Sequence, residues 1–137
     1  MNEIQKILEA TLPFVKTLLY DYGEFYPLAA VVNIDKKVEQ ILEFDGNNIK
    51  FPESVSVLKN LKKELNSKSE NFIAVAIFYE VRLIEKNTDA IAVFVEDKLE
   101  NLAYTFYYPY KIEQNQFKFC DSWKTLQSKE IFINQNI

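Results

Sequence analysis

The chain contains no histidine, and this absence excludes more chemistry than any residue that is present suggests. Histidine is the commonest general base near neutral pH, the usual partner of nucleophilic serine and cysteine, and a frequent zinc ligand. The two glycines, Gly23 and Gly46, are too few for a Walker loop or a dinucleotide-binding fingerprint, which need several glycines at fixed spacing. These absences favour a protein without enzymatic activity, and they predict no cofactor and no metal.

Cysteine and arginine are also scarce. Cys120 is the single cysteine and cannot form an intramolecular disulfide, so we expect a cytoplasmic location. Arg82 is the one arginine among 16 basic residues, which 20 acidic residues outnumber to give a net charge of −4. Phosphate binding needs clustered cations, so nucleic acid is not an expected partner. No run reaches the roughly 18 apolar residues of a membrane span, so no membrane contact is expected either.

The first part of the chain has the periodicity of a helix. Apolar residues recur at spacings of three and four across residues 4–22, which predicts an amphipathic helix that ends at Gly23. Pro13 lies inside this pattern and predicts a kink or two helical pieces, with Thr11 as a new cap.

Residues 24–34 and 38–44 alternate with a period of two, which predicts two strands joined as a hairpin. Residues 45–48 (DGNN) predict a turn. A second helix is predicted to begin near Pro52 and to end within residues 66–70.

Residues 71–84 (NFIAVAIFYEVRLI) predict the central strand, because both of its alternating faces are largely apolar. A strand of this kind must be covered on both sides or lie in the middle of a sheet. Residues 89–96 and 102–110 predict two further strands, with Pro109 limiting the last one to an edge or to its own end.

Residues 111–119 predict a continuation of the sheet after a bend, with a turn at residues 114–115. From Asp121 onwards the sequence predicts a short helix that carries Trp123 and Leu126, although an extended run is also open. The whole chain, residues 1–137, is predicted to be a single α+β domain. It has one antiparallel sheet of about five to six strands and two helices on one face. The predicted order is αββαβββ, followed by an irregular or short helical C-terminus.

Carboxylates are the remaining candidates for acid–base or magnesium chemistry. Glu80 and Arg82 share one face of the central strand, and we expect an ion pair at the rim worth about 0 to 1 kcal/mol. Three acids follow on the next strand, namely Asp89, Glu96 and Asp97. Acids that flank a hairpin are usually solvated, so we prefer a structural interpretation to a catalytic one.

Aromatic residues are concentrated in residues 102–110 (LAYTFYYPY). Alternation places four of these rings on one face and Tyr107 on the other, so some rings must face outward or line a cleft. Tyrosine is enriched where apolar contact and a hydrogen bond are needed together, as at partner interfaces and in ligand grooves. The alternative is that these rings complete a small core with their hydroxyls at the surface. The four rings on the first face belong to Tyr104, Phe106, Tyr108 and Tyr110.

Residues 22–33 (YGEFYPLAAVVN) combine a helix exit, an aromatic pair, a proline and a strand. This stretch and the order of elements resemble a diffuse group of small uncharacterised bacterial α+β proteins, some of which are similar to immunity proteins. The resemblance implies a partner-binding role, and the group has no established catalytic residues to transfer to this chain.

The sequence leaves two functions open. The first is a small cytoplasmic protein-binding domain, of an immunity or regulatory type, whose acidic charge steers a basic partner. The second is a small-molecule-binding or carboxylate-based enzymatic domain with a tyrosine-lined cleft, in which Glu80 or Asp89 has the polar role. A homodimer formed by edge pairing is a third possibility. The candidate binding residues are Tyr26, Tyr79, Glu80, Arg82, Tyr104, Tyr107 and Tyr108, of which Tyr26, Tyr79 and Tyr104 would line the cleft.

Overall fold

A computed structural model describes residues 2–41, 54–114 and 116–133 of the chain. The predicted turn at residues 45–48, the end of the second predicted strand and the predicted helix start near Pro52 lie outside these residues. In the part that is described, no helix combines the length and the hydropathy that a membrane span requires. The helices are α1 (Glu3–Tyr22) and α2 (Ser54–Ser67). The strands are β1 (Leu28–Asn33), β2 (Val38–Ile41), β3 (Phe72–Leu83), β4 (Thr88–Asp97), β5 (Leu102–Glu113), β6 (Gln116–Phe119) and β7 (Trp123–Leu126).

Helix α1 is capped at both ends. The Asn2 side chain accepts a hydrogen bond from the Gln5 backbone N–H at 2.8 Å, and the Gln5 side chain accepts one from the Asn2 N–H at 3.2 Å. Gly23 ends the helix with φ 76°, in the left-handed region that glycine adopts without strain. The helix is continuous through Pro13, so the predicted division into two pieces is wrong. Thr11 lies fully buried inside the helix instead of capping a second one.

Within the described residues, seven antiparallel strands form one sheet in the order β2-β1-β3-β4-β5-β6, with β7 also paired to β5. Strands β1 and β2 form the predicted hairpin. Its turn is closed by the Asn33 side chain, which accepts hydrogen bonds from the N–H groups of Asp35 and Lys37. Strand β3 pairs with β1 on one side and with β4 on the other, which confirms it as the central strand.

The two helices lie on opposite faces of the sheet, and the prediction that they share one face is wrong. Helix α1 packs on the face, called the α1 face below, that carries the even-numbered residues of β3 from Ala74 to Phe78. Helix α2 packs on the other, the α2 face, against Val75 and Ile77. Strands β1 and β3 are apolar on both faces, so a single helical layer would leave one apolar face in water.

Strands β6 and β7 behave as one broken strand along the outer side of β5. Strand β6 pairs with residues 110–113 of β5, and β7 pairs with residues 104–107. The break falls opposite Pro109, whose carbonyl accepts the Cys120 N–H at 2.8 Å. In a strand the N–H and C=O of one residue point to the same side, so the N–H that proline lacks would also have pointed outward.

Two predictions for this region are therefore wrong. Pro109 does not place β5 at an edge or end the strand, because β5 continues to Glu113 and lies between β4 and the β6–β7 pair. Trp123 and Leu126 lie on a strand and not on a short helix, since residues 123–126 pair with β5. The predicted continuation of the sheet through residues 111–119 is confirmed.

The segment after β7, residues 127–133, crosses back over the α2 face, and we call it the strap. The fully buried Glu96 carboxylate accepts hydrogen bonds from three successive backbone N–H groups of the strap. These donors are Glu130 at 3.1 Å, Ile131 at 2.8 Å and Phe132 at 3.1 Å. The Ile131 side chain is fully buried in the core beneath α2, and the Asn66 side-chain amide donates to its carbonyl at 2.9 Å. One acid therefore fixes this irregular segment to the sheet.

Candidate functional site

Six aromatic rings form a continuous row on the α1 face of β5 and β6. Strand alternation aligns four of them along β5, and the pairing of β5 with β6 brings Phe117 and Phe119 beside them. We call this row the aromatic ladder. In order, its rings are Tyr104, Phe106, Tyr108, Phe119, Phe117 and Tyr110, with successive centroid separations of 6.5, 6.2, 6.0, 5.0 and 4.9 Å.

The ladder extends beyond the part of the sheet that α1 covers. Helix α1 packs on β1 to β4, and the rings of β5 and β6 continue this face outward. At the inner end Tyr110 is buried, whereas Tyr104, Phe106 and Tyr108 are half-buried. Phe119, on β6, is 38% exposed. Leu126, which pairs with Tyr104 across β5 and β7, is 71% exposed. The ladder is therefore partly core and partly an open apolar surface.

Two lysines lie over the rings of the ladder. The Nζ atom of Lys16, on α1, lies 4.6 Å from the Phe119 ring centroid. The Nζ atom of Lys124, on β7, lies 4.5 Å from the Tyr104 centroid and 5.9 Å from the Phe106 centroid. These are the distances of cation–π contacts. Each end of the open surface is thus marked by an ammonium group.

A smaller aromatic pair lies on the opposite face. Tyr107 stacks on Trp123 with their centroids 5.4 Å apart, and Lys86 Nζ lies 4.0 Å from the Trp123 centroid. Tyr79 lies on the same face, where burial and the neighbouring Tyr107 and Glu130 raise the pKa of its hydroxyl. The outer strands therefore carry aromatic contact area on both faces.

Six of the seven predicted binding residues fall into two groups, one on each face of the sheet. Tyr104, Tyr108, Glu80 and Arg82 lie on the α1 face, whereas Tyr79 and Tyr107 lie on the α2 face. Tyr26, just before β1, is half-buried. Because the sheet separates Tyr79 from Tyr104, these two side chains do not line one cleft.

Glu80 and Arg82 have different partners instead of each other. The Phe25 backbone N–H donates to Glu80 at 2.7 Å, which ties the exit of α1 to β3. Arg82 pairs with Asp89 at 3.1 Å across the β3–β4 hairpin, so the predicted Glu80–Arg82 ion pair is wrong. Burial raises the pKa of the Glu80 carboxyl, opposed by the Phe25 hydrogen bond and helped by the nearby negative charges of Asp89 and Glu24.

The acids that the sequence grouped together are separated in the structure. Glu80 and Asp89 lie at one end of the β3–β4 hairpin, and Glu96 and Asp97 lie at the other end of β4. Both Glu96 and Asp97 are buried, which contradicts the expectation of solvated acids. The Asp97 carboxylate closes the following turn by accepting the N–H groups of residues 99 and 100. Within the described ranges, no group of three or more acidic or cysteine side chains is placed to hold a metal ion.

A shallow groove opens beside Glu80, at the hairpin end of the sheet. It is lined in part by Gly23, Arg82, Asp89 and Tyr110. Burial, together with the charges of Glu80 and Asp89, raises the pKa of the Tyr110 hydroxyl well above its usual range. Cys120 is exposed near this end of the sheet.

Sequence reasoning missed four residues of the ladder and its surroundings. Phe117 and Phe119 join the ladder through the β5–β6 register, and Lys16 joins it through the packing of α1. Lys124 reaches it because residues 123–126 form a strand. The alternation of Phe117 and Phe119 in the sequence was the available signal for the first two.

Comparisons of the chain with protein-family models, with curated proteins and with solved structures return no significant match. The immunity-type role implied by the resemblance at residues 22–33 accordingly stays a prediction.

Proposed function

We propose that this protein is a small cytoplasmic protein-binding domain of an immunity or regulatory type, and that the aromatic ladder is its contact surface. The observation that carries the proposal is the continuous row of rings that extends beyond α1 and includes the exposed Phe119. Contiguous apolar surface of this kind is typical of interaction sites in monomeric proteins.

The chemistry of the ladder suits a protein partner. Tyrosine and phenylalanine are enriched in interface cores, where they supply large apolar area on side chains with few rotatable bonds. The rings also contact one another along the strands, so little conformational entropy is lost when a partner covers them. A rigid β-sheet surface therefore supports binding better than an equal area on a loop.

The expected basic partner rests on the net charge of −4. Net charge acts at long range and changes the rate of encounter, whereas the contact itself depends on the groups at the surface. The contact proposal is therefore independent of the sign of the partner's total charge.

Tyr107 and Tyr108 provide a matched test, because they are neighbours in sequence and point to opposite faces. The wild-type protein and three variants, Tyr108→Ala, Phe119→Ala and Tyr107→Ala, would be used to capture proteins from the native host. Binding of a captured, purified protein would then be measured by calorimetry. We expect Tyr108→Ala and Phe119→Ala to weaken binding about 30-fold, the cost of a hot-spot aromatic of about 2 kcal/mol, and Tyr107→Ala to bind as wild type.

Urea denaturation of each variant shows whether a lost interaction reflects lost folding. The proposal fails if no host protein is retained by the wild type. It also fails if the folded Tyr108→Ala and Phe119→Ala variants bind as tightly as the wild type does.

One observation favours the second function, a small-molecule site. Glu80 is half-buried without Arg82 as its partner, and its raised pKa is a frequent property of functional carboxyls. The groove beside it offers Arg82, Asp89 and Tyr110 as polar contacts. A fragment screen by NMR tests this candidate: fragments that shift the Gly23 and Asp89 amides, and that do so less in Glu80→Gln, would support it.

A further inference from the structure

The open part of the aromatic ladder, from Tyr104 to Phe119, carries two lysines, whereas the buried Tyr110 lies near the negative charges of Glu80 and Asp89. By strand alternation, Lys124 is the only charged side chain that β5, β6 and β7 place on the α1 face within the described residues. The charged side chains of β5 and β6, Lys111, Glu113 and Lys118, all lie on the α2 face. Helix α1 adds Lys16 at the far side of the ladder.

Within the part of the chain that the structure describes, neither ammonium group has a counter-ion. Among the described residues, neither Lys16 nor Lys124 forms an ion pair, whereas Lys118 on the opposite face is paired with Glu113 at 3.4 Å. Lys16 is half-buried and Lys124 is exposed, so both ammonium groups can pair with a carboxylate that a partner brings to the surface. The two lysines therefore favour negative charge at both ends of the surface.

We infer that the ladder binds an acidic, extended segment of a partner protein; this inference rests on the proposed function. Lys124 lies at the Tyr104 end and Lys16 at Phe119, three ring-to-ring steps of 6.0 to 6.5 Å apart. An extended peptide rises about 3.3 Å per residue, so the two peptide carboxylates that pair with Lys16 and Lys124 lie roughly six residues apart. In an extended peptide, every second side chain points the same way. The two peptide side chains that lie between the carboxylates on this side are apolar and cover the rings of Phe106 and Tyr108.

A single-stranded nucleic acid also combines negative charge with planar groups that stack on aromatic rings. A nucleic acid needs cations along its whole backbone, however, and the described residues place two over this surface. The protein's overall charge of −4 opposes a polyanion further. An acidic peptide, which needs only two charge contacts, fits the surface better.

The test uses the full chain, immobilised, to select from a library of randomised short peptides, followed by affinity measurement on the selected sequences. The wild type is expected to enrich two acidic residues about six positions apart with apolar residues between them. The double variant Lys16→Glu/Lys124→Glu is expected to bind these peptides about tenfold more weakly and to select lysine or arginine at the same positions. The control Lys111→Glu/Lys118→Glu changes the same charge on the opposite face and is expected to select the same acidic peptides as the wild type.

The outcomes separate this inference from the proposed function. The inference is overturned if the selected peptides are basic or neutral. It is also overturned if acidic peptides bind equally well to the charge-reversed variant. Either result leaves the ladder as a binding surface. Absence of any peptide that depends on Phe106 and Tyr108 overturns both. Binding of a mixed-sequence single-stranded oligonucleotide at physiological salt, lost in Lys16→Glu/Lys124→Glu, overturns the inference in favour of nucleic acid.

Discussion

Replacement of Glu96 by alanine should detach the strap from the sheet. The Glu96 carboxylate is fully buried and accepts all three of its hydrogen bonds from the backbone of Glu130, Ile131 and Phe132. Removal of the carboxylate leaves these donors without an acceptor. The Ile131 N–H is the buried one of the three, so water cannot replace its partner while the segment stays in place.

The expected loss follows from these contacts. Hydrogen bonds to a charged group contribute about 1.5 to 3 kcal/mol each, and an unsatisfied buried donor costs about 1 to 3 kcal/mol. The net loss of stability is smaller than the sum of these contributions, because the wild-type protein must desolvate the carboxylate and because the N–H groups of Glu130 and Phe132 can bind water in the variant. We therefore expect Glu96→Ala to lower the free energy of unfolding by about 3 to 5 kcal/mol, the range for breaking one partner of a buried charged contact.

Urea denaturation followed by the fluorescence of Trp123, the single tryptophan, measures this loss. Glu100→Ala is the matched control, since it removes the same charge from an exposed position in the turn between β4 and β5. Ile131→Ala should cost about 2 to 5 kcal/mol on its own, and the double variant with Glu96→Ala should lose less than the sum because both changes release one segment. The reasoning is refuted if Glu96→Ala matches Glu100→Ala within about 0.5 kcal/mol and hydrogen exchange shows the Ile131 amide still protected.

Three further predictions follow from single side chains, and the first two use urea denaturation again. Thr11→Val should raise the free energy of unfolding by about 1 kcal/mol, because the buried Thr11 hydroxyl has no hydrogen-bond partner among the described residues. Thr17→Val, which removes an exposed hydroxyl bonded to the Pro13 carbonyl, should not raise it, and a loss of stability in Thr11→Val would contradict the reasoning. Glu80→Gln keeps an oxygen for the Phe25 N–H and cannot ionise. Since the Glu80 pKa is raised above 4.5, the wild type should lose stability relative to this variant as pH rises above about 4.5, and a relative gain would refute it. Absorbance titration of the folded protein should show three tyrosines ionising above the usual pH of about 10, and ionisation of these three at the usual pH would contradict their assigned burial. These three are Tyr79, Tyr108 and Tyr110.

The order of elements could be predicted because each element carries a local signal. The two apolar faces of residues 71–84 mark a central strand, and the i, i+3, i+4 row of α1 marks a helix despite Pro13. The side of the sheet that each helix covers has no such signal, because a strand that is apolar on both faces accepts a helix on either one. The same ambiguity affected residues 123–126, whose two apolar residues at a spacing of three are compatible with a helical turn and with a short strand.

The positions of the site residues could be predicted from the sequence only where alternation along a single strand determines the face on which each side chain lies. Tyr104 and Tyr108 were placed on one face by alternation alone, and Tyr107 on the other. The role of Glu96 could not be predicted, because its partners are backbone N–H groups 34 to 36 residues away that carry no sequence signature. The position of Glu96 at the end of an otherwise apolar strand was the one sequence feature that indicated its burial.

Pro109 disfavours the addition of a further strand at the β6–β7 edge of the sheet. The missing N–H leaves the outer strand interrupted at residues 120–122, so β6 and β7 are each four residues long. A second copy approaching this edge would find two short, offset rows of backbone donors and acceptors instead of one long row, and short edge strands resist edge-to-edge aggregation. A single proline in an interior strand thus protects the neighbouring edge, and it makes this side of the sheet a poor template for the edge-paired homodimer.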